Sequence, residues 1–288
     1  MDLLMIIKAI ILGIVEGITE FAPVSSTGHM IIVDDMWLQS QAFLGQHTAN
    51  TFKVVIQLGS ILAVVVIFWK RFFDLLGLKR FSRKEMQPVP DGQPQQPSGE
   101  GGHLKLRMVL IGLIPAAVLG LLTENYIDDH LFSTATVLIG LVIGAVFMIC
   151  ADRFAPKKVQ TETVDQVTYK QALGVGLMQC FALWPGFSRS GSTISGGVLL
   201  GMSYRAAADF TFIMAVPVMA GATLLSLMKN WQYFTMESLP FFIAGFISAF
   251  VFALLSMRFF LKLINRVKLM PFAIYRIVLA AVVYIIFF

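Results

Sequence analysis

The 288-residue chain is 57% hydrophobic and only 14% charged, against roughly 45–50% and about 25% for an average soluble domain. That balance excludes a soluble globule, a disordered tail and a coiled coil, and leaves an integral membrane protein. The net charge of +5, from 22 basic and 17 acidic residues, is informative mainly through where those charges sit.

Residues 3–22 form an apolar run that contains Glu16 and Glu20. It ends at Pro23, followed by Ser25, Ser26, Thr27, Gly28 and His29 and then a short apolar piece, 30–33. With Lys8 inside the run and no basic segment before it, this reads as mature structure rather than a signal peptide. Spans of about 20 apolar residues are expected near 53–69, 107–122 and 134–151. After them, 171–184 runs into Pro185, Gly186, Ser188, Arg189, Ser190, Gly191 and Ser192, with a short apolar return at 194–202. Three more spans are expected near 210–228, 240–262 and 271–287. Proline and glycine end helices, and the returning pieces at 30–33 and 194–202 are too short to cross a bilayer. The two broken stretches are therefore expected to be re-entrant hairpins, over 3–36 and 171–202. Irregular backbone at membrane depth is tolerated only inside protein or beside a wet cavity. Cys150 and Cys180 lie in apolar runs and read as small buried hydrophobes. Residues 85–102, rich in Pro, Gln and Gly, read as a flexible linker without chemistry.

Placement of the charges orients the spans. The stretches 70–107, 152–170 and 258–276 hold 17 of the 22 basic residues, among them Arg276. The positive-inside rule makes all three cytoplasmic. The turn 123–133 carries Glu124, Asp128 and Asp129 without Lys or Arg, and so faces outward. Asp34, Asp35 and His47, in the exterior segment, read as solvated. On this count three spans follow each hairpin, which inverts the second half. Gly13–Gly28 aligns without gaps on Gly176–Gly191, matching Gly13 with Gly176, Ser25 with Ser188 and Gly28 with Gly191. The fold class expected is therefore all-α: six transmembrane helices plus two re-entrant hairpins in an inverted-topology repeat. Repeat one covers 1–151, with a cytoplasmic linker at 70–106, and repeat two covers 171–288. Such folds place their site where the broken helices meet.

Carboxylates inside a membrane segment are costly and point to function. Glu16 and Glu20 are four apart and share a helix face. Together they suit a hard divalent cation; alternatively, repulsion and desolvation make one a proton acceptor. Ser25, Ser26, Thr27, Gly28 and His29 offer hydroxyls, close backbone approach and an imidazole. They read as an anion site at the start of the returning helix, as an activated nucleophile, or as a helix N-cap. In the second loop the Arg189 fork, flanked by Ser188, Ser190 and Gly191, suits phosphate oxygens, or else an ion pair with Glu16 or Glu20. Gln57 and Ser60 either line the pocket or hydrogen-bond between helices. A serine–histidine pair, an arginine and two carboxylates in so apolar a chain point to phosphate-ester or anhydride chemistry on a lipid. In that reading Ser26 attacks with help from His29 or a carboxylate, and Arg189 holds the phosphates.

The strings EGITEFAPVSSTGHM, IQLGSILAVV, WPGFSRSGSTISGG and PFAIYR resemble the bacterial undecaprenyl-diphosphate phosphatase family, also called bacitracin-resistance proteins. The likeness spans nearly the whole chain outside 85–102. It implies hydrolysis of undecaprenyl diphosphate to the monophosphate, which recycles the carrier lipid for peptidoglycan synthesis. It also implies catalytic roles for Glu16, Glu20, Ser26, His29 and Arg189, a divalent cation (Mg2+ or Ca2+), and an active site in the cytoplasmic membrane opening to the periplasm. Whether serine or histidine attacks is left open by the resemblance; Ser26 is the expected nucleophile. A homodimer is one assembly left open, and no nucleic-acid partner is expected. Acid-phosphatase-like lipid phosphatases need a histidine downstream of the Ser-Arg pair, and none of His29, His47, His103 or His130 follows Arg189. The rival of another class is a polyprenyl-phosphate transporter or flippase, which needs the anion clamp but not Ser26 beside His29.

Overall fold

The computed structural model describes residues 3–77, 104–233 and 236–287. The linker expected over 85–102 lies outside the described residues. Among the described residues twelve α-helices follow one another: α1 (Leu3–Thr19), α2 (Ser26–Val33), α3 (Ser40–Leu44), α4 (Gln46–Ile67), α5 (Trp69–Leu75), α6 (Leu106–His130), α7 (Thr134–Phe154), α8 (Tyr169–Gln179), α9 (Arg189–Leu199), α10 (Tyr204–Asn230), α11 (Leu239–Val267) and α12 (Met270–Phe287). No strand forms among the described residues. Six of the helices, α4, α6, α7, α10, α11 and α12, are long and apolar enough to cross a membrane.

All six expected spans are present, and most run on past the apolar window that revealed them. The run near 53–69 belongs to a helix beginning at Gln46, and the one near 210–228 to a helix beginning at Tyr204. Polar residues cap or extend these ends. Ser203 Oγ accepts from Ala206 N at 3.0 Å, and Ser133 and Thr136 form a reciprocal capping box at the start of α7. Pro115 and Pro217 lie inside α6 and α10. Each removes one backbone donor from its helix ladder without ending the helix.

The two broken stretches fold as helix, loop and short helix. At 17 and 11 residues, α1 and α8 fall short of a full span, and α2 and α9, at 8 and 11 residues, are shorter or no longer. Helix α1 packs chiefly along α11, where small residues let the backbones close. A Cβ on Gly17 would come within 2.8 Å of Ala253 N, and one on Gly13 within 2.8 Å of Ser248 Cβ. Without a hydrophobic drive between helices in lipid, such close approach is what holds them together. Ser248 Oγ and Ser256 Oγ add donors to the carbonyls of Ile10 and Ile18, at 3.0 and 2.8 Å.

The basic stretches meet at one end of the bundle. Arg71 Nη1 binds Asp165 Oδ1 at 2.7 Å, tying 70–107 to 152–170. Asp152 Oδ2 accepts from the Leu269 and Met270 amides at 3.0 and 2.8 Å, tying 152–170 to the α11–α12 turn. At another helix junction Lys229, in the last turn of α10, pairs with Glu124 of α6 at 2.6 Å.

Two sequence expectations change. Asp34, expected to be solvated, is only 1% exposed. Its carboxylate accepts from Ser40 N and Ser40 Oγ and pairs with Lys53 at 2.6 Å. Arg276, counted among the cytoplasmic charges, is fully buried inside α12. Its Nη2 donates to the carbonyls of Gly140, Gly186 and Phe187 at 3.2, 2.8 and 2.9 Å. These carbonyls take the Nη2 donors of a guanidinium that has left water, Nη1 reaches the Met148 sulfur at 3.3 Å, and Nε is buried without a partner.

Candidate active site

Both loops turn on a strained serine. Ser25 has φ 74° and Ser188 has φ 78°, a left-handed conformation that glycine takes freely and serine does not. Each serine is the N-cap of its returning helix. Ser25 Oγ accepts from Gly28 N at 3.3 Å, and Ser188 Oγ accepts from Gly191 N at 3.1 Å. Capping needs the hydroxyl while the backbone prefers glycine. The surrounding contacts must hold the turn, and the two loops solve that problem in the same way.

The loops converge on a cavity of about 250 Å³. Its walls include Glu20, Ser25, Ser26 and Thr27 from the first half and Ser188, Arg189 and Ser190 from the second. Ser190 Oγ donates to the Ala22 carbonyl at 3.2 Å, bridging one loop to the other. The first-turn amides of α2 and α9 have no intrahelical acceptors. Gly28 and Gly191 spend theirs on the serine caps, which leaves Ser26, Thr27, Arg189 and Ser190 to present amides at two positive helix ends. This arrangement suits an anion.

Glu20 sits at the centre. Its Oε1 pairs with Arg189 Nη2 at 2.7 Å, and its Oε2 accepts the Ser26 hydroxyl. Arg189 Nη1 reaches the Thr211 carbonyl at 3.2 Å, which aims the guanidinium from α10. The Thr193 and Thr211 hydroxyls, joined at 2.8 Å, back the start of α9. Arginine and carboxylate come from opposite halves of the chain and pair directly, as the ion-pair alternative expected.

Glu16 is different. It is fully buried, and neither carboxylate oxygen has a hydrogen-bond donor, although Glu20 and Arg189 lie within electrostatic reach. His29 is also set back from the cavity. Its Nδ1 donates to the Ser25 carbonyl at 2.8 Å, and its Nε2 faces the Tyr275 hydroxyl at 2.7 Å. Both ring nitrogens are thus engaged away from Ser26. Gln57 lines the cavity. Ser60 does not line it; its hydroxyl is buried without a partner. Trp184 is a wall residue that sequence reasoning missed, with its Nε1 anchored on the Thr136 carbonyl at 2.9 Å. Tyr275 and Arg276 were missed as well. A charged residue inside an apolar span was a signal available for Arg276, but the basic cluster just before it drew the residue into the topology count.

A model of the bacitracin resistance protein BacA family matches residues 9–282. The chain belongs to that family. Among BacA relatives, the undecaprenyl-diphosphatase of Geobacillus sp. (strain WCH70) is 71% identical over the full length of both chains. That of Geobacillus kaustophilus (strain HTA426) is 69% identical over 98% of this chain and 97% of its own. That of Bacillus subtilis (strain 168) is 57% identical over 96% of each. The BacA match takes in both loops and every helix from α2 to α11.

Proposed function

We infer that this protein is an undecaprenyl-diphosphate phosphatase: a multi-pass membrane hydrolase that converts undecaprenyl diphosphate to undecaprenyl phosphate, which recycles the carrier lipid for the cell wall and gives bacitracin resistance. The observation that carries the chemistry is the Ser26–Glu20–Arg189 chain. A transporter needs an anion clamp, but it has no use for a hydroxyl already hydrogen-bonded to a carboxylate.

In this reading Ser26 Oγ attacks the terminal phosphorus. Its proton passes to Glu20 Oε2, and the bridging P–O bond breaks. Lipid monophosphate leaves, and water then hydrolyses the phosphoserine to release inorganic phosphate. Arg189 and the amides of both helix ends hold the phosphate oxygens as charge develops on them. The pairing of Ser26 with Glu20 favours the carboxylate over His29 as the group that takes the proton.

The residues present fit a divalent cation. Glu16 presents two buried oxygens that lack donors, while both oxygens of Glu20 are in use. Among the described residues no group of three or more His, Cys, Asp or Glu could cage a metal. Glu16, with Glu20 beside it, would hold Mg2+ or Ca2+ through carboxylate oxygens. Bound there, it would offset the charge of the diphosphate.

The two hairpins are read as re-entrant and the halves as inverted repeats. The matched serine turns at 25 and 188 and the alternation of spans support this. The clustering of basic stretches at one end supports a cytoplasmic face there, in the bacterial inner membrane, with the site open to the periplasm. A Cys introduced at position 129 should be labelled by an impermeant reagent from outside, and one at 158 only after permeabilisation. Labelling of both from one side would overturn the orientation.

The activity is tested by phosphate release from undecaprenyl diphosphate by purified protein in detergent. Release should stop with a chelator and return with Mg2+ or Ca2+. If Ser26→Ala and His29→Ala both leave turnover intact while Arg189→Ala abolishes binding, hydrolysis at this site is the wrong reading.

A further inference from the structure

We propose that Tyr275, on the last helix, is a positioning residue for the reaction: its hydroxyl holds His29 on the Ser25 carbonyl and so keeps Ser26 in line with Glu20. The proposal rests on the hydrolytic reading above.

It begins with proton bookkeeping. A carbonyl oxygen can only accept, so the 2.8 Å contact between His29 Nδ1 and Ser25 O puts the proton on Nδ1. In the neutral ring Nε2 is then an acceptor, and Tyr275 Oη, 2.7 Å away, is the donor. The two rings lie parallel, 5° apart in plane with centroids at 5.6 Å. Tyr275 thus fixes both the tautomer and the plane of His29.

What that bond protects is the strained turn. Ser25, at φ 74°, is the residue immediately before Ser26. Its carbonyl accepts from His29 twice, through the backbone amide at 3.1 Å and through Nδ1 at 2.8 Å. Helix α2 is only eight residues long and gives the turn little rigidity of its own. A conformation of this kind persists only when its surroundings over-determine it. If the Tyr275 hydroxyl is removed, nothing holds Nε2, the ring can turn about χ2, and Nδ1 leaves the carbonyl.

The second loop offers a parallel. Ser188, at φ 78°, follows the Gly186 and Phe187 carbonyls held by Arg276. Adjacent residues of α12 therefore brace the two strained turns, one each. Neither residue lines the cavity, so an effect of Tyr275 on turnover must pass through His29.

The test is a double-mutant cycle read in steady-state kinetics. Tyr275→Phe should lower kcat about tenfold, as expected for one lost orienting hydrogen bond, and leave KM within about twofold. In a His29→Ala background the same change should cost less than about twofold. Full kcat in Tyr275→Phe, or a loss that multiplies undiminished with that of His29→Ala, overturns the proposal. Ring 15N NMR of the histidine-labelled protein supplies a second readout if His29→Ala does not fold. The wild type should show His29 protonated at Nδ1 with Nε2 bare, and Tyr275→Phe should shift the Nε2 resonance. A proton on Nε2 in the wild type overturns the proposal. The NMR signature needs no turnover, so its failure is distinguishable from a failure of wild-type protein to release phosphate.

Discussion

Glu20→Gln is expected to lower kcat for phosphate release on the order of 10³-fold, within the 10²–10⁴ range for losing a positioned acid–base group. The amide keeps the size of the carboxylate and can still accept from Ser26, so folding and the shape of the loop should survive. What it cannot do is keep the serine proton. It also removes the charge that Arg189 Nη2 meets at 2.7 Å. Glu16→Gln provides the contrast. Glu16 makes no hydrogen bond to Ser26 or Arg189, so its loss should act through the cation and be partly relieved by raising the Mg2+ or Ca2+ concentration. Glu20→Gln should not be relieved in that way. If Glu20→Gln stays within tenfold of wild type, the proton of Ser26 goes elsewhere.

Arg189→Lys should cost roughly 10²-fold in kcat/KM, carried mostly by KM. Arginine here uses two nitrogens for two tasks, Nη2 on Glu20 and Nη1 on the Thr211 carbonyl. An ammonium is a single point charge and cannot reproduce that fork, nor hold two phosphate oxygens side by side. When the diphosphate arrives, its oxygens compete with Glu20 for Nη2. In the proposed mechanism, substrate binding would therefore release the carboxylate as it takes the Ser26 proton. Arg189→Ala removes the charge entirely and leaves Glu20, 6% exposed, without its cation. Breaking a buried pair from one side costs about 3–5 kcal/mol, so this variant should unfold at lower temperature. Adding Glu20→Gln to it should restore much of the lost stability, because no buried charge is then left alone. If the double variant is no more stable than Arg189→Ala, the pair does not hold the loops together.

Much of this arrangement is legible in the residues. Apolar windows located all six spans, because hydropathy is what the bilayer selects. They underestimated helix length where polar turns such as Gln46–Thr51 or Tyr204–Asp209 continue the ladder beyond the window. The shared loop logic was visible as Ser25 over Ser188 and Gly28 over Gly191. The pairing of Arg189 with a carboxylate was one of two readings its position in an apolar stretch allowed, beside phosphate binding, and the choice of Glu20 over Glu16 had no signal in the residues. His29 was harder. Three residues from Ser26, it reads as a partner for the nucleophile, but its ring is drawn back to a carbonyl four residues earlier and to a tyrosine 246 residues later. Contacts at such separation leave no local pattern. Arg276 was visible as a charge but not as a buried one, because carbonyls from α7 and the second loop have no side-chain signature.

The separation of 169 positions along the chain from Glu20 to Arg189 also sets a timetable for biogenesis. At roughly 5–20 residues per second, the first hairpin waits on the order of ten to thirty seconds for its counter-ion to be synthesised. Over that interval the Glu20 carboxylate cannot settle unpaired into hydrocarbon without a cost of several kcal/mol. The first hairpin must therefore linger near the membrane surface or beside the insertion machinery. In the proposed re-entrant topology it would take its final depth only when the second hairpin arrives, and the turn around Ser25 only after the last helix delivers Tyr275. The proposed hydrolytic centre would thus be the final part of the molecule to mature, and a chain stalled before that helix would be inserted but inert.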